Sequence, residues 1–227
     1  MNRVPVIVDT EGVTVNTFDE HLVPIYNAVR NRKGLPSLTA EDYRIRVRGW
    51  WIDTLKELGI DDEDSAALYA TLRTSWLKEG KGISLYGGAE GLLTFLNPHP
   101  LYVPVLKSAS RHLPLIIDRF NLDRYFSTIV QVNPRSRDFM NSSFDELAKS
   151  GQPNPSVGIV IDDQSENLEN AKLYGKDRGI RILTVGVSYG FYSPERVVAV
   201  HPDRVAHTPE EVVTILREFE DALKIQV

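Results

Sequence analysis

Runs of β-branched and aliphatic residues, each four to six long, recur along this chain and alternate with segments of helical period. That alternation restricts the fold more than any other feature. The runs are Val4–Val8, Tyr102–Leu106, Thr128–Val132, Val157–Ile161 and Ile180–Val185, with a weaker one at Val197–Val200. Each is mostly apolar rather than alternating, as strands covered on both faces must be. Between and after them, Gly88–Leu96, His112–Phe120, Ser143–Lys149, Glu166–Lys176 and Pro209–Leu223 carry apolar residues at helical spacing. Strands alternating with helices specify βαβ units, hence an α/β fold with a parallel sheet and helices on both of its faces.

One segment departs from this rhythm. From Thr17 to about Lys81 there is no strand candidate, and three amphipathic helices are expected at roughly 18–32, 40–58 and 63–78. Tyr43, Val47, Trp51, Leu55 and Leu58 repeat at helical spacing in the second, and Leu68, Leu72 and Trp76 in the third. Pro24 should start or kink the first helix rather than sit within it. An all-helical block placed after the first strand reads as a cap over the end of the sheet. Residues 1–16 and 82–227 are accordingly assigned to the sheet-bearing core, and 17–81 to an inserted helical cap domain. Trp50, Trp51 and Trp76 are expected in the cap's own core.

Composition narrows the classes of function. A chain of 227 residues with 42% apolar content can build a substantial core. Its net charge of −5, with Lys and Arg scattered, offers no electrostatic footprint for nucleic acid or an anionic membrane. No cysteine is present, which removes disulfides, thiolate metal sites and cysteine nucleophiles. The first strand begins too early for a signal peptide and no apolar stretch approaches membrane-spanning length. A cytoplasmic protein is expected. The five histidines show no ligand spacing, and His21 is expected on the ordinary surface.

In open parallel sheets ligands bind outside the carboxyl ends of the strands. The first strand ends in Asp9, Thr10 and Glu11; Tyr102–Leu106 ends in Lys107 and Ser108; Val157–Ile161 ends in Asp162 and Asp163. Four carboxylates beside one lysine repel strongly unless a divalent cation joins them. Oxygen-only ligands with room for water suit Mg²⁺. A carboxylate-bound Mg²⁺ next to a further carboxylate is a site for a phosphate ester, in which an Asp can attack phosphorus. Ser110, before the His112–Phe120 helix, reads as a helix cap.

The stretch "VDTEGVTVNT" resembles the opening motif of the haloacid dehalogenase superfamily, a strand followed by Asp-x-Asp-Gly, with Glu11 in the second acid's place. "SLYGGAEGLLTFL" and "VLKSASRHLPLIIDRFNLDRYFSTIV" resemble the approach to its second motif and that motif's region. "VGIVIDDQSENLENAK" resembles the acidic fourth motif, and "TVGVSYGFYSPERV" the strand and loop after it. The resemblance covers most of the chain and implies a Rossmann-like core carrying a helical cap. It implies a Mg²⁺-dependent hydrolase in which Asp9 is the nucleophile and a metal ligand. Glu11 would give its backbone carbonyl to the metal and its side chain as general acid and base, and Asp163 with Asp162 would complete the metal site.

Three positions depart from the family pattern. Glu11 carries its carboxylate ~1.5 Å further than an aspartate would. Lys107 stands where a phosphate-binding Ser or Thr is usual, leaving Ser108 as its neighbour. "VNPRSRDFM", where a third-motif lysine should fall, offers only Arg135 and Arg137. Lys107 can supply the missing cation from the second strand, or its ammonium can occupy the space of the metal. Arg48, beside Gly49, is the candidate for the cap residue that the resemblance implies touches substrate. Two activities follow as expectations: a phosphatase acting on a small phosphorylated metabolite through an aspartyl-phosphate, or a catalytically inactive relative that binds a phosphorylated ligand or a protein. A mutase or dehalogenase on the same scaffold is a third.

Overall fold

A computed structural model describes residues 3–46, 51–132, 139–149 and 155–224. Six strands form one parallel sheet: β1 (Val4–Asp9), β4 (Tyr102–Ser108), β5 (Thr128–Gln131), β6 (Val157–Asp162), β7 (Arg181–Val187) and β8 (Arg204–Ala206). Their spatial order is β5-β4-β1-β6-β7-β8, which seats β1 between β4 and β6. Two further short strands, β2 (Val15–Asn16) and β3 (Ser84–Leu85), pair antiparallel where the chain leaves the sheet for the helical segment and returns from it.

Side chains along a strand alternate between faces, and the two layers of core follow that period. Val4, Val6 and Val8 of β1, Tyr102 and Leu106 of β4, and Ile159 and Ile161 of β6 share one cluster. This is the face covered by α5 (Ala89–Leu96), α6 (Leu113–Phe120) and α10 (Pro209–Lys224). Ile7, Val103, Val105 and Val160 belong to the other, under α7 (Phe139–Lys149), α8 (Ser165–Arg178) and α9 (Pro194–Ala199). The apolar runs of β1, β4 and β6 are thus buried on both sides, while β5, at the sheet edge, buries only Val130.

Between β2 and β3 lie a π-helical turn (Phe18–Leu22), α1 (Val23–Arg32), α2 (Ala40–Arg46), α3 (Trp51–Glu57) and α4 (Glu63–Glu79). Pro24 falls in the first turn of α1, where its missing N–H leaves no helical bond unmade. These helices enclose their own cluster, built on Phe18, Ile25, Tyr26, Val29, Tyr43, Leu55, Leu58 and Tyr69, with the half-buried Trp76 packed against it. Leu77, near the end of α4, instead joins the sheet-side core, so α4 spans both layers. The helix expected at 40–58 is described as α2 and α3, with 47–50, including Arg48 and Trp50, outside the described residues.

Two expectations are corrected. Val197–Val200 is not a strand: α9 runs through most of it from Pro194, and only Val197 is fully buried while Val198 is 49% exposed, the burial of a helix. His21 is not on the surface; it is fully buried, with its Nδ1 2.9 Å from the Lys81 carbonyl. The last strand, β8, passed unrecognised because its three residues bury only Ala206 completely. No helix among the described residues is long and apolar enough to cross a membrane.

Candidate active site

The site is assembled by register. Asp9, the last residue of β1, lies directly opposite Lys107 of β4. Asp9 follows Ile7, Lys107 follows Val105, and Asp162 follows Val160, so all three side chains project toward the α7–α8 face. There the Lys107 ammonium lies 2.9 Å from Asp9 Oδ1 and 2.6 Å from Asp162 Oδ2, with its charge 4.7 Å from the centre of the Phe139 ring. Asp162 is held from behind: its Oδ1 accepts from the Gln164 N–H at 2.9 Å, and Asn167 Nδ2 donates to both carboxylate oxygens. Lys107 is almost fully buried. Burial alone would push its ammonium down, but Asp162 and Asp9 outweigh that and hold it above the usual lysine range.

Asp163 completes the acidic cluster, with one oxygen from each of Asp9, Asp162 and Asp163 lying within 4.8 Å of the others. Its Oδ2 accepts from the Phe191 N–H at 2.7 Å. Two glycines make room for it. A Cβ on Gly12 or Gly190 would stand 2.2 or 2.3 Å from that same oxygen. Gly12 also has φ +97°, a backbone conformation that side-chain-bearing residues rarely adopt, so it is required twice over.

Charge in this cluster does not balance. Burial pushes the Asp9 carboxyl up to about 7, against the pull of Lys107 and with repulsion from Asp162 and Glu11. Burial also raises Asp163 well above the carboxylate range, and the charges of Asp162 and Asp9 raise it further. Were all three acids ionised beside the one ammonium, two negative charges would be left in a nearly dry site, which is why burial favours protons on Asp9 and Asp163 where no cation is bound. This donor set, oxygen-only and short by the charge of one divalent cation, fits Mg²⁺. Lys107 reaches two of the acids, and Asp163 is the one it does not bridge.

Glu11 faces elsewhere. Its Oε1 accepts from Thr17 Oγ1 at 2.9 Å and from Arg73 NH2, on α4, at 2.6 Å. Burial works to raise this carboxyl, but the Arg73 guanidinium and the Thr17 hydroxyl hold it below the usual range. Arg73 was not singled out in the sequence. Its only signal there is a cation set between Leu72 and Trp76 in an otherwise apolar helical stripe. Thr10, after Asp9, pins the turn by donating both its N–H and its Oγ1 to the Lys107 carbonyl.

The remaining candidates are placed as follows. Ser108 lies on the opposite strand face from Lys107, and its Oγ accepts from the Ser110 N–H at 3.0 Å, a turn-stabilising role. Ser110 Oγ accepts from the His112 N–H and lies 3.4 Å from Arg73 NH2, so it serves the turn before α6 and also borders the Glu11 contact. Arg48, Arg135 and Arg137 lie outside the described residues.

A parallel sheet with an acid at the end of β1, paired acids at the end of β6 and a helical segment inserted after β1 is the fold of the haloacid dehalogenase-like hydrolases. Among solved structures, a haloacid dehalogenase-like hydrolase from Streptococcus pneumoniae superposes with a TM-score of 0.74 at 17% identity, over 94% of this chain and 98% of that one. A hydrolase from Pseudomonas syringae superposes with a TM-score of 0.66 at 19% identity, over 95% and 99%. By sequence, the chain is 24% identical over 216 residues to a phosphoglycolate phosphatase of Synechococcus elongatus, spanning 94% of this chain and 97% of that protein. No family model matches the chain.

Proposed function

We propose that this protein is a Mg²⁺-dependent phosphatase that hydrolyses a small phosphorylated metabolite through an aspartyl-phosphate on Asp9, with residues 17–81 closing over the site as a cap. The observation that carries the reading is the Lys107 bridge. It bridges Asp9 and Asp162 on one side of the cluster and leaves Asp163, cradled by Gly12 and Gly190, for a cation. A lysine standing in for the metal would have to satisfy all three acids, and this one reaches two.

Asp9, Asp163 and the Glu11 backbone carbonyl would hold Mg²⁺, with Asp162 fixing Lys107 beside them. The ion would supply the positive charge that offsets the phosphate dianion and polarises its oxygens. An Asp9 oxygen attacks phosphorus in line with the departing alcohol; Lys107 keeps Asp9 oriented and offsets its charge. Glu11, held ionised by Arg73, would first have to take up a proton to give one to the leaving oxygen; in its ionised form it removes one from the water that cleaves the acyl phosphate. Inorganic phosphate leaves and Asp9 is restored. The name of the Synechococcus relative makes 2-phosphoglycolate the first ester to assay.

The Arg73–Glu11 contact favours a second reading, a non-catalytic relative that binds phosphorylated ligands, because a carboxylate held ionised cannot donate a proton. One experiment separates the two. Phosphate release from a panel of esters is measured with Mg²⁺ for the wild type and Asp9→Asn. The phosphatase reading expects turnover in the former, none in the latter, and the same cooperative melting in both. Undiminished release in Asp9→Asn would sink the aspartyl-phosphate mechanism, and no release from either protein favours the binder.

A further inference from the structure

Lys107 bridges two acids of a cluster of three, and its side chain does not by itself dictate which two. A lysine head is a compact charge on a flexible four-carbon stem, with three N–H donors and no fixed direction. Asp9 Oδ1 at 2.9 Å and Asp162 Oδ2 at 2.6 Å face two of those donors. Asp163 belongs to the same cluster, with an oxygen within 4.8 Å of one from each of the other acids, and Coulomb attraction draws an ammonium toward it as well. The ammonium also lies over the Phe139 ring, 4.7 Å from its centre.

The ring and the third acid pull from different flanks. Phe139 is the first residue of α7, which follows β5 and packs on β5 and β4. Asp163 is gripped by the Phe191 N–H, from the loop after β7. In the order β5-β4-β1-β6-β7-β8 those two elements lie on opposite sides of β4, the strand that carries Lys107. The ring is buried in the cluster that holds Val105, Val130 and Met140, so it is fixed in place. Its negative face attracts the ammonium through the ring quadrupole, most strongly where water is excluded. The segment "VNPRSRDFM", which offers no lysine of its own, thereby supplies a seat for the lysine of β4.

We propose that Phe139 is a positioning residue. Its ring holds the Lys107 ammonium against Asp9 and Asp162 and away from Asp163, which keeps the place beside Asp163 open to a divalent cation. With the ring gone, the ammonium can lean toward the acid it does not bridge and compete with a dication there. Removing the ammonium as well removes that competition. The part that concerns the metal rests on the Mg²⁺ reading above; the ring's hold on the ammonium does not.

The test replaces Phe139 by phenylalanines carrying one, two and three ring fluorines, which draw electron density from the ring face with little change in size, and in parallel by leucine. Each is made with Lys107 and with Lys107→Met, and Lys107→Gln serves as a second neutral background should Lys107→Met fail to fold. Urea unfolding in EDTA gives the folding equilibrium constant. The Phe139→Leu cycle should show a coupling of about 30-fold, the worth of a desolvated cation–π pair. Stability should fall stepwise with fluorination when Lys107 is present and stay flat in the neutral background. A series that is flat with Lys107, or equally steep without it, overturns the proposal.

Melting temperatures across a Mg²⁺ titration then give apparent metal affinities. Phe139→Leu should weaken the affinity about tenfold with Lys107 and leave it within about twofold in the neutral background. A ring that only fills the core would lower stability without that dependence on Lys107. An affinity unchanged with Lys107, or lowered equally in both backgrounds, overturns the role assigned to the ring beside Asp163. Stepwise fluorine dependence in a protein whose wild type gains no stability from Mg²⁺ supports the hold on the ammonium and removes the metal reading.

Discussion

Replacing Lys107 by methionine keeps the buried stem and removes the one charge that joins Asp9 to Asp162. Lys107 is 3% exposed and contacts the two carboxylates at 2.9 and 2.6 Å, so the variant leaves three acids in a nearly dry cluster with no cation among them. Breaking a buried pair by deleting one partner costs about 3–5 kcal/mol. Two features hold the cost to the lower end. Asp162 retains its bonds from Gln164 and Asn167, and the Asp9 carboxyl, pushed up to about 7 even with Lys107 present, takes up a proton near neutrality. A loss of ~3 kcal/mol lowers Tm by about 6–12 °C in a domain of this size. The assay is a melting curve in EDTA and then across a Mg²⁺ titration. Because the variant site has lost the ammonium that repels a second cation, and the proton on Asp9 can be displaced by metal, Mg²⁺ should recover more stability in Lys107→Met than in wild type, following the ligand-linkage relation. Turnover should fall, since a protonated Asp9 is no nucleophile. A Tm within about 2 °C of wild type in EDTA, or a smaller Mg²⁺ response in the variant, would refute the assignment of Lys107 as the bridge.

Gly190→Ala places a Cβ 2.3 Å from Asp163 Oδ2 without requiring an unusual backbone angle. The same Cβ would stand 2.4 Å from Asp163 Cβ, so the backbone must shift as well and the melting point in EDTA should fall; beyond that loss, Mg²⁺-dependent stabilisation should weaken by roughly 10–100-fold in apparent affinity, and an unchanged Mg²⁺ titration would show that Asp163 is not a ligand. His112 is pushed down to about 4, chiefly by burial and then by Arg73 and Arg111, against the pull of Glu11 and with a further push from His21. The native state therefore excludes a proton that the unfolded chain accepts near 6.5, so stability is full above that pH and is lost as pH falls toward 4, by about 2 kcal/mol once partial solvent screening is allowed for. Urea midpoints between pH 7 and 4 should fall more steeply for wild type than for His112→Gln, and parallel profiles would exclude His112 as the source.

Much of the fold was legible because burial on both faces leaves an unmistakable trace. Val4–Val8 and Val157–Ile161 can only be central strands, and the acids that follow them can only sit at the sheet's carboxyl end. Asp9, Asp162, Asp163 and Lys107 were found on that ground, and the structure brings all four together. What stayed hidden depends on contacts between segments distant in sequence. Arg73 meets Glu11 across 62 residues, and its place beside Leu72 and Trp76 does not by itself tell a partner on the sheet side from solvent. His21 carries no periodic signal; its burial follows from α4 packing over it, with Trp76 edge-on to its ring. Val197–Val200 misled because β-branched composition was weighed above Pro194, which sets the backbone for a helical turn.

The register of β1 against β4 fixes where the Lys107 stem starts. Its Cα lies opposite that of Asp9 in the ladder of two central strands, so the cation nearest Asp9 belongs to the sheet itself. Glu11, by contrast, is met by a side chain that arrives from α4. A shift of the helical insert against the sheet would therefore disturb the Glu11 contact and leave the Asp9 contact in place.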